Sequence, residues 1–371
     1  MTTIGKIESI INNRELSKEN IAFLLGLQKP YQHILHEYAG KINDEVKGNK
    51  VHFRGLIEFS NICTKDCYYC GIRKSNHNTH RYTLLHEEIL NAADFAFRNG
   101  YGSVVLQSGE RSDRFFVEQI DSLLQDIKKI SGGKLGITLS VGEQTEETYQ
   151  RWYSSGAHRY LLRIESSSCR LFERIHPQNA LHMYDTRLEC LQMLKRTGYQ
   201  TGTGVMIGLP HQTLDDLASD ILFFQLQDVD MIGMGPYIEH RDTPLFAERE
   251  HLWLLQQRFD TALNMIAVLR IVMPDINIAA ATALQAIDPM GREKALLCGA
   301  NIIMPNITPT ENRKNYLLYR NKPNVDEGAE DTIAGLLKRI QHIGKEVAFD
   351  EWGDSQHYFN KVNNRGSSSA I

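Results

Sequence analysis

The sequence predicts an α/β fold, a (β/α)8 barrel of the TIM type with an N-terminal helical extension. After residue 50, short apolar segments alternate with longer segments whose apolar residues recur at helical spacing. This alternation indicates a parallel sheet joined by helical crossovers. Polar residues and glycines directly follow six of the eight apolar segments, as they do at the mouth of a closed barrel. The alternative is an open, doubly wound sheet.

Residues 1–50 form the predicted helical extension. Ser17 opens a helix whose apolar face includes Ile21, and Pro30 begins another helix. The tail from Asn363 onwards is small and polar, so we expect it to fray. We therefore divide the chain into a helical extension, the barrel, and a C-terminal extension with a flexible tail, at residues 1–50, 51–345 and 346–371.

The predicted strands are short runs rich in apolar and β-branched residues. They cover residues 52–59, 103–107, 136–141, 159–163, 200–206, 231–233, 276–280 and 301–304. The predicted helices repeat their apolar residues every three to four positions. They cover residues 85–98, 116–130, 146–155, 181–196, 214–227, 252–272, 292–298 and 331–343.

The composition of the chain limits the classes of function that it can have. The chain has 371 residues, of which 42% are hydrophobic and 23% charged, as in a soluble globular protein. Its net charge of −4 provides no basic field for nucleic acid, and no apolar run approaches the roughly 20 residues of a membrane span. Six cysteines without a signal peptide indicate a reducing compartment, so we expect a cytoplasmic protein.

Three of the six cysteines, Cys63, Cys67 and Cys70, lie within eight residues, directly after the first predicted strand. Thiolates at such spacings bind an iron–sulfur cluster or a zinc ion. Three thiolates leave one iron of a four-iron cluster open to another ligand, where chemistry can take place. A zinc site would add His77 or His80 and would be structural, and a disulfide would need an oxidising compartment.

Polar residues follow the predicted strands where the carboxyl ends of those strands meet. Catalytic groups lie at these ends in barrels of this type. Taken singly, each segment has an ordinary explanation, since Gly beside Ser is typical of a turn and Arg two residues from Glu of a surface pair. Their repetition on six successive strands favours one site. The segments are 58–61, 107–110, 140–143, 163–166, 201–210 and 233–236.

The C-x3-C-x2-C spacing, with Tyr69 just before the last cysteine, resembles the signature of the radical SAM superfamily. Longer phrases resemble one family within it, the HydE maturases of FeFe-hydrogenase, which are related to biotin synthase and methylornithine synthase. The resemblance covers roughly residues 50–320. It is carried by Glu58-Phe-Ser-Asn-Ile-Cys63, Cys70-Gly-Ile-Arg73, Gln107-Ser-Gly-Glu110, Arg159-Tyr-Leu-Leu-Arg163, Gly204-Val-Met-Ile-Gly-Leu-Pro210 and Cys298-Gly-Ala-Asn301.

The resemblance implies a cofactor set. The three clustered cysteines would hold one 4Fe–4S cluster, and its open iron would chelate the amino and carboxylate groups of S-adenosylmethionine (SAM). The methionine amino group would lie at the end of the second strand, at Ser108, Gly109 and Glu110. The reduced cluster would cleave SAM to methionine and a 5′-deoxyadenosyl radical, so we expect a radical SAM enzyme.

The resemblance also implies contacts to the rest of SAM. Glu165 would accept hydrogen bonds from the ribose hydroxyls, and Arg187 would bind the methionine carboxylate. Tyr69 and the backbone near Ile232 would flank the adenine. The remaining predicted cofactor contacts are Gln107, Ser140, Arg163 and Met206.

The chain departs from the family pattern at residues that we expect to line the cavity. Ile164 replaces a common histidine, Ala281 replaces the first of two threonines, and Cys169 ends a segment that replaces Thr-Ala-Asn-Pro. We expect these changes to affect the substrate more than the SAM chemistry. No cysteine follows Cys298, so we expect one cluster, whereas some members carry two.

The family implies a small substrate inside the barrel, a cysteine-bound iron carbonyl cyanide species supplied by a partner maturase. It also implies an electron donor, and neither nucleic acid nor a membrane as partner. The predicted substrate contacts are Thr282, Arg292, Asn301 and Asn306, with turn capping as the alternative for the asparagines. Two other functions stay open: a radical SAM mutase or sulfur-insertion enzyme for an amino acid or vitamin precursor, and a zinc-stabilised binding protein without enzymatic activity.

Overall fold

The structure, a computed structural model, describes residues 2–323, residue 326 and residues 329–368. A parallel barrel forms its centre. The strands among these residues are β1 (Lys50–Ser60), β2 (Ser103–Ser108), β3 (Gly136–Ser140), β4 (Arg159–Leu161), β5 (Gln200–Thr203), β6 (Met206–Ile207), β7 (Met231–Ile232), β8 (Gly235–Pro236), β9 (Asn277–Ile278), β10 (Ile302–Ile303) and β11 (Glu346–Val347).

Helices surround the barrel and precede it. None of the described helices is long and apolar enough to cross a membrane. They are α1 (Thr3–Asn13), α2 (Lys18–Leu25), α3 (Gln32–Lys47), α4 (His86–Arg98), α5 (Arg114–Ile130), α6 (Glu146–Ser154), α7 (Cys169–Ile175), α8 (Tyr184–Thr197), α9 (Leu214–Leu226), α10 (Leu255–Val272), α11 (Thr282–Ile287), α12 (Gly291–Leu297), α13 (Thr310–Arg313), α14 (Ala329–His342) and α15 (Gln356–Ser368), with short 3-10 helices at Ala180–His182 and Pro244–His251.

The barrel strands pair in the order β10-β1-β2-β3-β4-β5-β7-β9, and every pairing is parallel. Two backbone hydrogen bonds join the two ends of this order. Ala280 N–H donates to the carbonyl oxygen of Ile302 at 2.9 Å, and Asn301 N–H donates to that of Ile278 at 3.0 Å. The sheet therefore closes on itself, and the predicted (β/α)8 barrel is confirmed against the open-sheet alternative.

The outer helices bury one face, as their spacing predicts. Helix α5 begins where the Asp113 side chain accepts from Phe116 N–H at 3.1 Å, and it buries Ile120 and Leu124 completely. Helix α8 ends at Gly198, whose φ of 101° is the left-handed conformation that favours glycine. Caps and apolar stripes together fix where these helices lie on the barrel.

The N-terminal extension packs on the outer helices, with α2 against α9 and α3 against α10. Asn264 of α10 is fully buried and donates from Nδ2 to the carbonyl oxygens of Leu25 and Leu27, both at 3.0 Å. Its Oδ1 lies 2.8 Å from Nε2 of His36. This amide therefore ties both helices to the barrel, and the division of the chain at residues 50 and 345 stays a prediction.

Residues 348–357 cover the barrel end opposite to the carboxyl ends of the strands. Asp354 pairs with the fully buried Arg159 of β4 at 2.5 Å. Gly102, before β2, leaves room for this segment, because a Cβ there would lie 1.6 Å from the carbonyl oxygen of Glu351. The chain itself therefore fills the lower end of the barrel, and the carboxyl ends form its mouth.

His357, in the first turn of α15, lies between two carboxylates. Its Nδ1 is 2.9 Å from Asp275 Oδ1, and its Nε2 is 2.7 Å from Asp228 Oδ1. Because a carboxylate only accepts, both ring nitrogens carry hydrogen, which is the imidazolium form. Burial opposes this charge, but the two carboxylates outweigh burial and raise the pKa of His357 above its usual value.

We expect His357→Gln to lower stability at low pH and to have little effect at high pH. Because the folded-state pKa lies above the unfolded value of ~6.5, the stabilisation is complete below that pH and is lost as the pH rises through the folded pKa. The loss at low pH should be about 1 kcal/mol, since the ring is partly exposed. Thermal unfolding at pH ~6 and pH ~9 measures this difference. An equal loss at both values would show that the imidazolium does not hold α15.

The boundaries of several strands and helices differ from the predicted ones. The predicted strand 200–206 is two strands, β5 and β6, because Val205 pairs with Glu165 and β6 pairs separately with β8. Helix α7 was not predicted, and α8 begins at Tyr184, three residues later than expected. Of the tail predicted to fray, residues up to Ser368 continue α15, and residues 369–371 lie outside the described residues.

Candidate active site at the barrel mouth

The three clustered cysteines lie on the loop between β1 and α4, at the barrel mouth. The end of β2 holds this cysteine loop. Glu110 N–H donates to Cys63 Sγ at 3.3 Å, and the Glu110 carbonyl oxygen accepts from Thr64 N–H at 2.9 Å. Gly109 allows this approach, because a Cβ there would lie 2.4 Å from the carbonyl oxygen of Ile62. The end of β2, which is predicted to contact a cofactor, therefore also holds the cysteine loop in place.

A segment that follows α13 holds the cysteine loop from the other side. The Leu318 carbonyl oxygen accepts from Gly71 N–H at 3.0 Å, and a Cβ on Gly71 would lie 2.0 Å from the carbonyl oxygen of Leu317. Asn61, fully buried, donates from Nδ2 to the carbonyl oxygen of Asn315 at 2.7 Å. The loop is therefore clamped on two sides by contacts to backbone atoms.

The three thiols of the loop lie near one another. Burial raises the pKa of Cys63, and burial together with Cys63 raises the pKa of Cys67 to about 12. The pKa of Cys70 is raised well above its usual value, first by burial and then by the other two thiols. A positively charged centre beside the thiols would reverse this effect.

One contact bears on whether this loop holds an iron–sulfur cluster or a zinc ion. The N–H donated to Cys63 Sγ is typical of iron–sulfur sites, where hydrogen bonds to sulfur tune the cluster. Among the described residues, no three His, Cys, Asp or Glu side chains form a group that could hold a single metal ion, so neither the zinc site nor the cysteine site is preformed. The hydrogen bond to Cys63 Sγ therefore carries the comparison, and it favours the cluster.

Four charged side chains beside the loop form one network, the mouth network, of Lys65, Glu110, Glu143 and Arg187. Lys65 Nζ lies 2.6 Å from Glu143 Oε2 and 3.1 Å from Glu110 Oε1. Arg187 of α8 donates from Nε to Glu143 Oε1 at 2.5 Å. No member has more than 13% of its side chain exposed. Two cations and two carboxylates balance, as buried charges require.

The two carboxylates of the mouth network differ. Burial opposes the ionisation of Glu143, but Arg187 and Lys65 outweigh burial and lower its pKa. Burial and the charge on Glu143 raise the pKa of Glu110. Glu143 is therefore the carboxylate that the cations of the chain satisfy, and Glu110 is the one that gains most from another cation.

Glu165 follows β4 in a left-handed conformation with a φ of 64°, which is uncommon for a residue with a side chain. Its N–H donates to the carbonyl oxygen of Gly204, and its own carbonyl oxygen accepts from Met206 N–H, both at 3.0 Å. Its Oε2 lies 2.8 Å from a terminal nitrogen of Arg163. The carboxylate also raises the pKa of Tyr69, after burial and Cys67, so Glu165 lies near the cysteine loop.

His176 lies behind Tyr69 of the cysteine loop. Its Nδ1 is 2.8 Å from the carbonyl oxygen of Phe172, which can only accept, so Nδ1 carries the hydrogen. Burial and Arg187 lower the pKa of His176 to about 3, which keeps the ring neutral. Its Nε2 is then an acceptor, and the Tyr69 hydroxyl donates to it at 3.4 Å. The ring of Tyr69 is thereby oriented.

The other predicted cofactor contacts lie around the same mouth. Ser140 is the last residue of β3, and Gln107 near the end of β2 donates from Nε2 to the Tyr316 hydroxyl at 3.4 Å. Met206 belongs to a small buried apolar cluster against which Tyr69 packs. Ile232, the last residue of β7, is buried and adjoins this end of the barrel.

The four predicted substrate residues do not lie together. Asn306 donates from Nδ2 to Glu58 Oε2 at 2.9 Å at the mouth, Thr282 begins α11, and Arg292 is buried on α12. Asn301 lies at the opposite end, because it precedes Ile302, whose partner is His52 near the start of β1. Its Oδ1 accepts from Ile278 N–H at 2.9 Å, so it closes the barrel seam and does not face the mouth.

Lys65, Glu143 and His176 are mouth residues that the sequence did not single out. Lys65 lies inside the cysteine motif and Glu143 in a strand-end segment, so their positions in the sequence were weak indications of a role at the site. Nothing in the sequence marks His176, which follows the unpredicted α7. Of the departures expected to line the cavity, Ile164 does not, because it is fully buried in the main core.

Comparison with known proteins gives the family. Residues 57–224 match the radical SAM superfamily. The chain is 40% identical over 354 residues to the FeFe hydrogenase maturase subunit HydE of Thermotoga maritima. This alignment covers 95% of this chain and 97% of that protein. It is 28% identical to 3-methylornithine synthase of Methanosarcina acetivorans, over 92% of this chain and 93% of that protein.

A solved structure has the same fold. The crystal structure of methylornithine synthase (PylB) superimposes with a TM-score of 0.78 over 92% of this chain and 97% of that chain, at 23% sequence identity. At that identity the likeness concerns the fold alone. The match to the maturase subunit, at higher identity and nearly full length, decides the family. The chain belongs to the family of the FeFe hydrogenase maturase subunit HydE, within the radical SAM superfamily, and is a radical SAM enzyme.

Proposed function

We propose that the protein cleaves SAM with the aid of a 4Fe–4S cluster that Cys63, Cys67 and Cys70 would hold, and that the reaction serves maturation of the FeFe-hydrogenase active site. The observation that carries the proposal is the mouth network beside the cysteine loop, since it offers partners for both charged groups of an amino acid. When bound, the cluster and SAM supply the electron transfer and the radical. The residues of the chain bind SAM, orient it and shield the site from water.

Two members of the mouth network bind the methionine end of SAM. Glu110 accepts from the ammonium group, which lowers the cost of its own charge in this buried site. Arg187 donates to the carboxylate from Nη2, because Nε and Nη1 already donate to Glu143 and to the carbonyl oxygen of Arg163. Low exposure strengthens both contacts.

The adenosine end of SAM lies over β4 to β7. Glu165 accepts from the ribose hydroxyls, while Tyr69, oriented by His176, and the backbone near Ile232 flank the adenine. The filled lower end of the barrel keeps water away from the reactive species. The further proposed cofactor contacts are Gln107, Ser108, Gly109, Ser140, Arg163 and Met206.

The proposed substrate is a small molecule or iron complex held within the barrel mouth, supplied by a partner maturase in the cytoplasm. Thr282, Arg292 and Asn306 are retained as substrate contacts, and Asn301 is left out because of its position. The proposal includes an external electron donor, which would supply the electron that the bound cluster needs. Neither nucleic acid nor a membrane is part of the proposal.

The test begins with anaerobic reconstitution with iron and sulfide. With SAM and a chemical reductant, the protein should release 5′-deoxyadenosine and methionine, measured by chromatography. No release from protein with full cluster absorption would overturn the proposed activity. The hydrogenase role is tested by adding the protein to an apo-hydrogenase with the other maturases: hydrogenase activity should depend on it, and activity without it would contradict that role.

We expect the reconstituted protein to bind about four irons per chain, because the three clustered cysteines provide one cluster. Among the described residues, the other cysteines are isolated: Cys190 and Cys298 are buried, and Cys169 lies exposed at the start of α7. Iron and acid-labile sulfide analysis measures the number. A reproducible value near eight, about twice one cubane, would show a second cluster.

A further inference from the structure

Glu143, at the end of β3, connects the cysteine loop to α8. One of its oxygens accepts from Arg187 Nε at 2.5 Å, and the other lies 2.6 Å from Lys65 Nζ. Both oxygens are thus engaged by cations of the chain, and only 10% of the side chain is exposed. Glu143 therefore has no oxygen left over for a ligand ammonium, unlike Glu110.

The backbone on both sides of Glu143 is fixed by buried tyrosines. The Tyr160 hydroxyl donates to the carbonyl oxygen of Gly142 at 2.7 Å, and the Tyr149 hydroxyl accepts from Gln144 N–H at 3.0 Å. Both tyrosines are fully buried. The carboxylate of Glu143 is consequently presented from a rigid point in the barrel, as a positioning group requires.

Gly142 brings the second carboxylate of the mouth network next to the first. Its φ is 85°, and a Cβ at this position would lie 2.2 Å from Cγ of Glu110. A glycine is thus needed for the Glu110 side chain to lie beside Glu143. Lys65 Nζ then lies between the two carboxylates, 2.6 and 3.1 Å away.

We infer that Glu143 is a positioning residue for SAM binding, which aims Arg187 at the methionine carboxylate and shares Lys65 with Glu110. This inference rests on the proposed roles of Glu110 and Arg187. Glu143 engages Nε of Arg187 and the carbonyl oxygen of Arg163 engages Nη1, so the guanidinium plane is set by two contacts. Without the charge of Glu143, Glu110 is the one carboxylate of the mouth network left to balance both buried cations, and it is also the carboxylate that the ligand ammonium requires.

The test is Glu143→Gln, which keeps the shape of the side chain and removes its charge. We expect the iron content to stay that of the wild type and the Kd for SAM to rise about 10- to 100-fold, as for other residues that orient a ligand group. The KM for SAM should rise more than kcat falls, because saturating SAM restores the complex. Glu146→Gln, three residues on and in an exposed pair with Arg196, is the matched control and should leave the Kd unchanged.

A double variant separates positioning from general stability. If Glu143 acts through Arg187, then Glu143→Gln adds little to the rise in Kd already caused by Arg187→Gln. Full additivity of the two changes, or a normal Kd in Glu143→Gln, would overturn the inference. If Arg187→Gln alone leaves the Kd unchanged, the proposed SAM contact itself fails, which is a distinct result.

A variant that keeps the charge covers the case in which Glu143→Gln does not fold. Glu143→Asp retains the carboxylate but shortens its reach, so it can engage Arg187 or Lys65 but not both at their present distances. We expect a stable protein with full cluster content and a Kd for SAM several-fold above the wild type. A wild-type Kd in this variant would show that the bridge between the two cations is not required.

Discussion

We expect Cys67→Ala to abolish SAM cleavage and to remove most of the cluster absorption. The loop is held on two sides, by β2 and by residues 315–318, and these contacts oppose a rearrangement that would bring in another ligand. Three thiolates are the minimum that leaves a single open iron, so two thiolates do not hold the cluster in the proposed geometry. The measurements are iron content and 5′-deoxyadenosine formation under reducing, anaerobic conditions.

Cys169→Ala is the matched control for this prediction. Cys169 is exposed on α7, and its replacement should change neither iron content nor turnover. The two variants differ only in which cysteine is removed, so general damage to the protein by a Cys-to-Ala change would appear in both. A Cys67→Ala protein that retains cluster absorption and SAM cleavage would contradict the cluster assignment.

Much of the fold follows from local patterns in the sequence. The apolar runs at residues 103–107 and 136–141 become β2 and β3, and the helical spacing at 116–130 becomes α5, because burial of one face decides each element locally. The split of β5 from β6 could not be predicted in this way. It depends on the pairing of Glu165 with Val205, a contact between residues 40 positions apart.

The residues of the site also differ in whether the sequence alone could predict them. The cysteine motif and the end of β2 could be identified because their residue types are unusual at such spacing. Glu143 and Lys65 have residue types that are common on any surface, and only the closed barrel brings them within 2.6 Å of each other in a buried place. For Asn301 the sequence was misleading. It belongs to a segment that resembles the family and was therefore predicted to line the cavity, but the register of β10 with β1 places it at the opposite end of the barrel.

We expect Glu165→Ala to weaken SAM binding and to leave the cluster intact. The left-handed backbone at Glu165 is held by hydrogen bonds to Gly204 and Met206, so the carboxylate is presented at the mouth at a cost in strain. Two hydrogen bonds to ribose hydroxyls in a partly dry site contribute on the order of 2–4 kcal/mol, which is roughly 30- to 1000-fold in Kd. Anaerobic titration of the reconstituted variant with SAM measures the change.

The ion pair between Glu165 and Arg163, at 2.8 Å, offers a purely structural explanation for Glu165. In that case Glu165→Ala lowers the melting temperature and leaves the Kd for SAM unchanged. Asp354→Asn is the matched control, since it breaks another carboxylate–arginine pair, with Arg159, at the far end of the barrel. We expect Asp354→Asn to lower the melting temperature alone and Glu165→Ala to raise the Kd as well. If the two variants behave alike, with normal SAM affinity in both, Glu165 holds the fold and does not bind the ribose.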